Sequence, residues 1–238
     1  MDREEVGQLL AAQNYMAAPV IDAEKRLLGI VKSDQLIDQV QQEATEDLQK
    51  MFGAGGTERV DSPLGFSLKK RLPWLHINLL TAFVAASVVA LFEDLIARIT
   101  ILAVFLPVVA GEGGNAGAQS LAIVMRGLVM REIPASRVRR LILKEGAVGL
   151  CNGLVIGGVT GLVAWLWHGN PVLGLVLMMA MIANLVAAAL AGTLIPITMK
   201  ALGFDPAQSS NIFLTTVTDV TGFFSFLGFA LLFQHYLV

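Results

Sequence analysis

The sequence predicts an all-α polytopic membrane protein preceded by a small α/β piece, and three observations carry that prediction. Five apolar stretches occupy residues 74–238, each meeting the roughly 20 residues needed to cross a hydrocarbon core of ~30 Å. Of 238 residues, 55% are hydrophobic and only 15% charged, against about 25% in an average chain. The charges are also divided. Residues 1–61 hold 12 acidic and 6 basic side chains, a net of −6, whereas residues 62–238 hold 7 acidic and 11 basic, a net of +4. An acidic cytosolic part joined to a basic-flanked membrane part explains this division.

Taken in order, residues 18–21 (APVI) and 27–31 (LLGIV) read as two short strands joined by a polar turn at 22–26. Ser33 caps a helix predicted to reach about Met51, with Leu36, Ile37, Val40, Ala44, Leu48 and Met51 at helical spacing. Two strands and a helix are too little to bury an independent core, so 1–52 reads as part of a larger cytosolic domain. The GAGG run at 53–56 and Pro63 break the helix, leaving 53–73 as a connecting segment. The predicted spans are 74–92, 99–125, 146–167, 171–199 and 212–237, the second interrupted by Gly111-Glu112-Gly113-Gly114-Asn115.

Basic residues orient the spans. Lys69, Lys70 and Arg71 precede the first; Arg126, Arg131, Arg137, Arg139, Arg140 and Lys144 lie between the second and third; Lys200 lies between the last two. The opposite loops hold only Arg98 in one and no Lys or Arg in the other. The N-terminus is therefore expected in the cytoplasm and the C-terminus outside. The polar, acidic start MDREEVGQLL is unlike a signal peptide. A single cysteine, Cys151, excludes an intramolecular disulfide, and no Cys/His cluster suggests zinc. With no P-loop, no nucleophile–base arrangement and no nucleic-acid motif, the sequence gives no basis for an enzyme or a nucleic-acid partner.

Asp219 is the leading functional candidate. A carboxylate at membrane depth costs about 2.5–3.5 kcal/mol on insertion scales and persists where it meets water, a cation or a partner charge. Only Asp219 and Glu112 read as acidic residues well inside apolar stretches. Asn211, Thr215 and Asp219 recur at i, i+4 and i+8, one face of a helix. Their oxygens suit a hard cation such as Mg²⁺, which dehydrates reluctantly. The competing reading is a polar stripe that only hydrogen-bonds a neighbouring helix. In the second span, Pro107 frees the carbonyl of residue 103, and Gly111, Gly113 and Gly114 permit unwinding. With Glu112, Asn115 and Gln119 nearby, a pore-lining role is favoured over a tightly packed kinked helix. Gly149, Gly153, Gly157 and Gly161 form a packing or dimer surface, and Asn184 and Pro196 read as structural.

Three segments, PVVAGEGGNAGAQ (107–119), SNIFLTTVTDVTGFF (210–224) and QEATEDLQKMFG (42–53), together resemble the MgtE family of bacterial magnesium channels. The strand–strand–helix unit is similar to the second half of a CBS domain. The resemblance implies a bacterial inner-membrane homodimer with five spans per subunit, a cation path along the dimer axis and Mg²⁺ as transported and regulatory ion. It implies that Asp219 holds hydrated Mg²⁺, that Asn211 lines the pore, and that the carbonyls of Gly111 and Gly114 line the ion site. Thr215 occupies a position that varies in the family. Glu43, Glu46 and Asp47 resemble part of a Mg²⁺-dependent gating surface, coupled to the pore by a connecting helix. Lys32 and Gln35 stand where CBS nucleotide motifs often carry Thr and Asp, which counts against ATP or AMP binding. The segment resembles a family member from midway through its second CBS repeat onward, so the Mg²⁺ sensor is expected to be incomplete. The alternatives are transport of Mn²⁺ or Co²⁺, or a non-conducting membrane receptor.

Overall fold

The structure, a computed structural model, describes residues 6, 9–10, 13–33, 45–208 and 210–237. Strands β1 (Ala17–Ile21) and β2 (Leu27–Lys32) pair antiparallel, with Ala17 opposite Lys32 and Val20 opposite Gly29. The turn between them is tied by Asp22, whose carboxylate accepts from the Arg26 backbone N–H at 2.7 Å and from its Nε at 2.9 Å. Val20, Leu27, Leu28 and Ile30 remain exposed, as expected of a hairpin with too few neighbours to bury it. Of the helix predicted from Ser33 to Met51, residues 34–44 lie outside the described residues, and 45–51 are helical.

Gly53 ends that helical segment with φ 76°, the left-handed conformation that favours glycine. It also lies flat on the membrane part: a Cβ there would stand 2.8 Å from Trp74 Cβ and 3.4 Å from Ile212 Cδ1. The connecting segment is thus packed down on two helices.

Six helices follow: α1 (Leu64–Ala90), α2 (Glu93–Arg98), α3 (Ile101–Val129), α4 (Ala135–His168), α5 (Pro171–Ala201) and α6 (Ser210–Leu232). All but the short α2 are long and apolar enough to span a membrane. A 3₁₀ turn, Gln234–Tyr236, replaces the last turn predicted for the fifth span. Three boundaries differ from the sequence prediction. α1 begins at Leu64, so Lys69, Lys70 and Arg71 lie on the spanning helix itself. α4 begins at Ala135, which brings Glu145 into it. α3 is continuous from Ile101 to Val129, so the predicted interruption at 111–115 is not there. Its glycines act through close approach instead: Gly113 faces Asn184, and a Cβ on Gly117 would stand 2.7 Å from Leu214 Cδ1.

The core is built around α5, which packs against α4, α3 and α6. Leu102, Val109, Leu173, Val176, Leu177, Met181, Leu185, Phe226 and Leu227 are buried together there. The glycine row of α4 meets α5 backbone to backbone: a Cβ on Gly149, Gly153 or Gly157 would lie 2.8–2.9 Å from Leu185 O, Ile182 Cα or Met178 O. That row is a packing surface within one chain. By contrast α1 packs chiefly on α6, leaving Leu79, Leu80 and Phe83 exposed.

Candidate cation site

The buried face of α6, with Ile212, Leu214, Thr218, Gly222 and Phe226, is fixed against the bundle. The i, i+4, i+8 row next to it is thereby turned toward α1. Asn211, Thr215 and Asp219 line one cavity of about 610 Å³ with Arg71, Trp74, Asn78 and Ala82 of α1 and the loop residues Phe52, Gly53 and Ala54. All three row members are half-buried. The Thr215 hydroxyl donates to the Ile212 carbonyl at 3.0 Å, so its oxygen is left as an acceptor. Asp219 carries no ion pair among the described residues.

The other predicted lining residues are not brought to this cavity. Pro107, Gly111 and Asn115 share an exposed face of α3, with Glu112 and Gly114 half-buried beside them, and nothing stands within 4 Å of a Cβ built on Gly111 or Gly114. Within one chain the wall facing Asp219 is α1. Asn78 and Arg71 are the residues sequence reasoning missed. Asn78 is a lone amide in an apolar run, a signal that was present; Arg71 read only as an orienting charge.

On the helical segment 45–51, Glu46 pairs with Lys50 at 3.1 Å, and Lys50 also reaches Asp205 at 3.2 Å in the loop before α6. Burial works to lower the Lys50 pKa, but the hydrogen bonds and charges of Glu46 and Asp205 outweigh it and raise it. Asp47 lies on the same segment; Glu43 lies outside the described residues. No group of three His, Cys, Asp or Glu side chains that could hold a metal directly occurs among the described residues.

Glu145 and Asn184 are among the polar groups buried in the bundle. Glu145 accepts from Ser120 Oγ at 2.9 Å and from Lys144 Nζ at 2.8 Å. Sequence reasoning passed over it because the apolar run begins one residue later. Asn184, fully buried, donates from Nδ2 to the Val109 carbonyl at 2.8 Å and joins α5 to α3.

Five spanning helices with a carboxylate-bearing cavity beneath a packed connecting loop define a multi-pass membrane protein of the transporter kind. Residues 106–229 match the family model MgtE, described as a divalent cation transporter, and the chain belongs to that family. It is 40% identical over 237 residues to the magnesium transporter MgtE of Enterococcus faecalis, covering 100% of this chain and 52% of the relative. To the magnesium transporters MgtE of Bacillus subtilis and Thermus thermophilus it is 35% and 37% identical, covering 98% and 96% of this chain and 52% and 51% of those proteins. The chain spans about half the length of the curated relatives it matches. All three are transporters by name, the non-enzymatic class expected from the sequence.

Proposed function

We propose that this chain forms the ion-conducting part of a magnesium channel, in which Asp219 holds hydrated Mg²⁺ within the α1–α6 cavity. The observation that carries the reading is that cavity, with its carboxylate free of any ion pair among the described residues and two amides and a hydroxyl beside it. Six waters at about 30 Å³ each occupy roughly 180 Å³, so a 610 Å³ cavity accommodates a hydrated ion with room to move. Flow is passive and inward, with the N-terminal side in the cytoplasm, and an inside-negative potential supplies ~2.3 kcal/mol per charge per 100 mV. The exposed Pro107–Gly111–Asn115 face of α3 supports a homodimer in which a second copy closes the path and sets two Asp219 side chains on one dication. The Lys50 links to Glu46 and Asp205 support coupling of a Mg²⁺-sensing surface at Glu43, Glu46 and Asp47 to α6. Mg²⁺ uptake into proteoliposomes tests this. Wild-type protein is expected to conduct and Asp219→Ala to lose uptake while assembling normally. Absence of wild-type uptake would leave a non-conducting receptor, and unchanged uptake in Asp219→Ala would make that carboxylate structural.

A further inference from the structure

The cavity that holds Asp219 also has a cation built into its wall, Arg71. A positive charge lining a cation path raises an electrostatic barrier to every ion that passes. In this structure the charge is answered. Arg71 donates from Nε to Glu58 Oε2 at 3.1 Å and from Nη2 to Glu58 Oε1 at 2.5 Å, the two-pronged geometry that orients a guanidinium as well as neutralising it. Glu58 is set in place by its own loop. Its side chain is only 6% exposed although Arg71's is 58% exposed. Its backbone N–H donates to the Gly55 carbonyl at 2.8 Å, and its carbonyl accepts from Gln49 Nε2 at 3.0 Å. Gly55 in turn lies against the Lys70 side chain, with a would-be Cβ at 2.9 Å.

Height in the membrane matters as well. Gly53 touches both Trp74 and Ile212, so Arg71 stands at the loop end of the cavity. Asp219 lies seven residues beyond Ile212, about 10 Å along the helix at ~1.5 Å per residue. Arg71 therefore guards the mouth and does not compete for the Asp219 site directly.

We infer that Glu58 is a positioning residue that masks Arg71, so that the loop at 52–63 sets the charge at the mouth of the cation path. This rests on the Asp219 reading of the cavity. While docked the loop cancels the Arg71 charge, and if withdrawn it exposes that charge to incoming or departing dications. Glu58 is held ionised by the Arg71 hydrogen bonds, aided by Ser67, which keep its carboxyl below the usual range, so the mask persists into mildly acid conditions.

The test is Mg²⁺ uptake into proteoliposomes by wild type, Glu58→Ala, Glu58→Ala/Arg71→Gln and Glu58→Ala/Arg71→Lys. Unmasking a unit charge beside a dication at a partly solvated mouth is expected to lower uptake roughly threefold in Glu58→Ala. The Gln double variant restores uptake and the Lys double variant does not. The Glu58→Ala deficit also shrinks as monovalent salt rises, because the charge is screened; a packing defect would not respond to salt. Loss of wild-type uptake would sink the channel reading itself. A conducting wild type with Glu58→Ala unchanged, or with the Gln double variant as low as Glu58→Ala, would overturn the masking role alone.

Discussion

Gly222 sits one turn beyond Asp219 on α6, and replacing it with alanine gives a prediction whose sign the structure decides. A Cβ there would stand 2.7 Å from Asn184 Nδ2 and 3.1 Å from Val109 Cγ1. Asn184 cannot yield cheaply, because Nδ2 is committed to the Val109 carbonyl at 2.8 Å and the side chain is fully buried. Displacing it costs about 1–3 kcal/mol for the broken buried hydrogen bond, and overpacking adds about 1–3 kcal/mol. Against this, Gly→Ala gains up to ~1 kcal/mol of helix propensity. The net is a destabilisation of about 3 kcal/mol, equivalent to roughly 6–12 °C in melting midpoint for a chain of this size. Gly228→Ala is the internal control: it lies on the same helix with nothing within 4 Å, and it should be neutral or slightly stabilising. Thermal unfolding in detergent, followed by size-exclusion chromatography with fluorescence detection, reads both. Adding Asn184→Ala to Gly222→Ala should recover part of the loss by removing the obstacle. A Gly222→Ala midpoint equal to wild type, or a Gly228→Ala midpoint equally depressed, would refute the reasoning.

Two further outcomes follow from the ion pairs. Glu145→Ala leaves Ser120 without its acceptor and Lys144 without its partner; because Lys144 can turn to water, the expected loss is about 2 kcal/mol, below the range for a fully buried pair, and Glu145→Gln, which keeps the Ser120 bond, should lose less by the same melting assay. The pH response of the loop follows from the lowered pKa of Glu58, caused first by its Arg71 hydrogen bonds. A folded-state pKa below the unfolded one gives docking stability that is complete above the unfolded value and is lost as pH falls through the folded value. Fluorescence of Trp74, in a Trp165→Phe/Trp167→Phe background, should therefore stay flat through the ordinary carboxylate range and change only below it; a transition within the ordinary range would count against the pairing.

Much of the membrane part was legible because its determinants are local. Apolar runs of sufficient length identify spans whatever their neighbours, and the i, i+4, i+8 row on α6 needs only helix geometry to place Asn211, Thr215 and Asp219 together. What faced that row was not legible. Glycine at 111–115 permits a broken helix and a closely packed one equally, and the choice was made by Asn184, seventy residues away, filling the space beside Gly113. α1 became the opposing wall for a similar reason: the only hints were Asn78 and Arg71, and pairing α1 with α6 is a long-range fact that periodicity does not encode. Glu145 escaped notice because an apolar count starts at Gly146, whereas the helix starts at Ala135.

The bare backbone contact between α4 and α5 bears on how the chain enters its bilayer. The two helices are joined only by Gly169, at φ 79°, and by Asn170, whose side chain accepts from the Val172 and Leu173 N–H groups. Their interface runs from Gly161 against Gly174 to Gly149 against Leu185, so it closes outward from the turn without long loops to order. A hairpin of this kind has low contact order and needs no side-chain interlocking partner from elsewhere. It is thus a self-contained two-helix unit, onto whose α5 face α3 and α6 pack. α1, leaning chiefly on α6, adds the outer wall of the cavity.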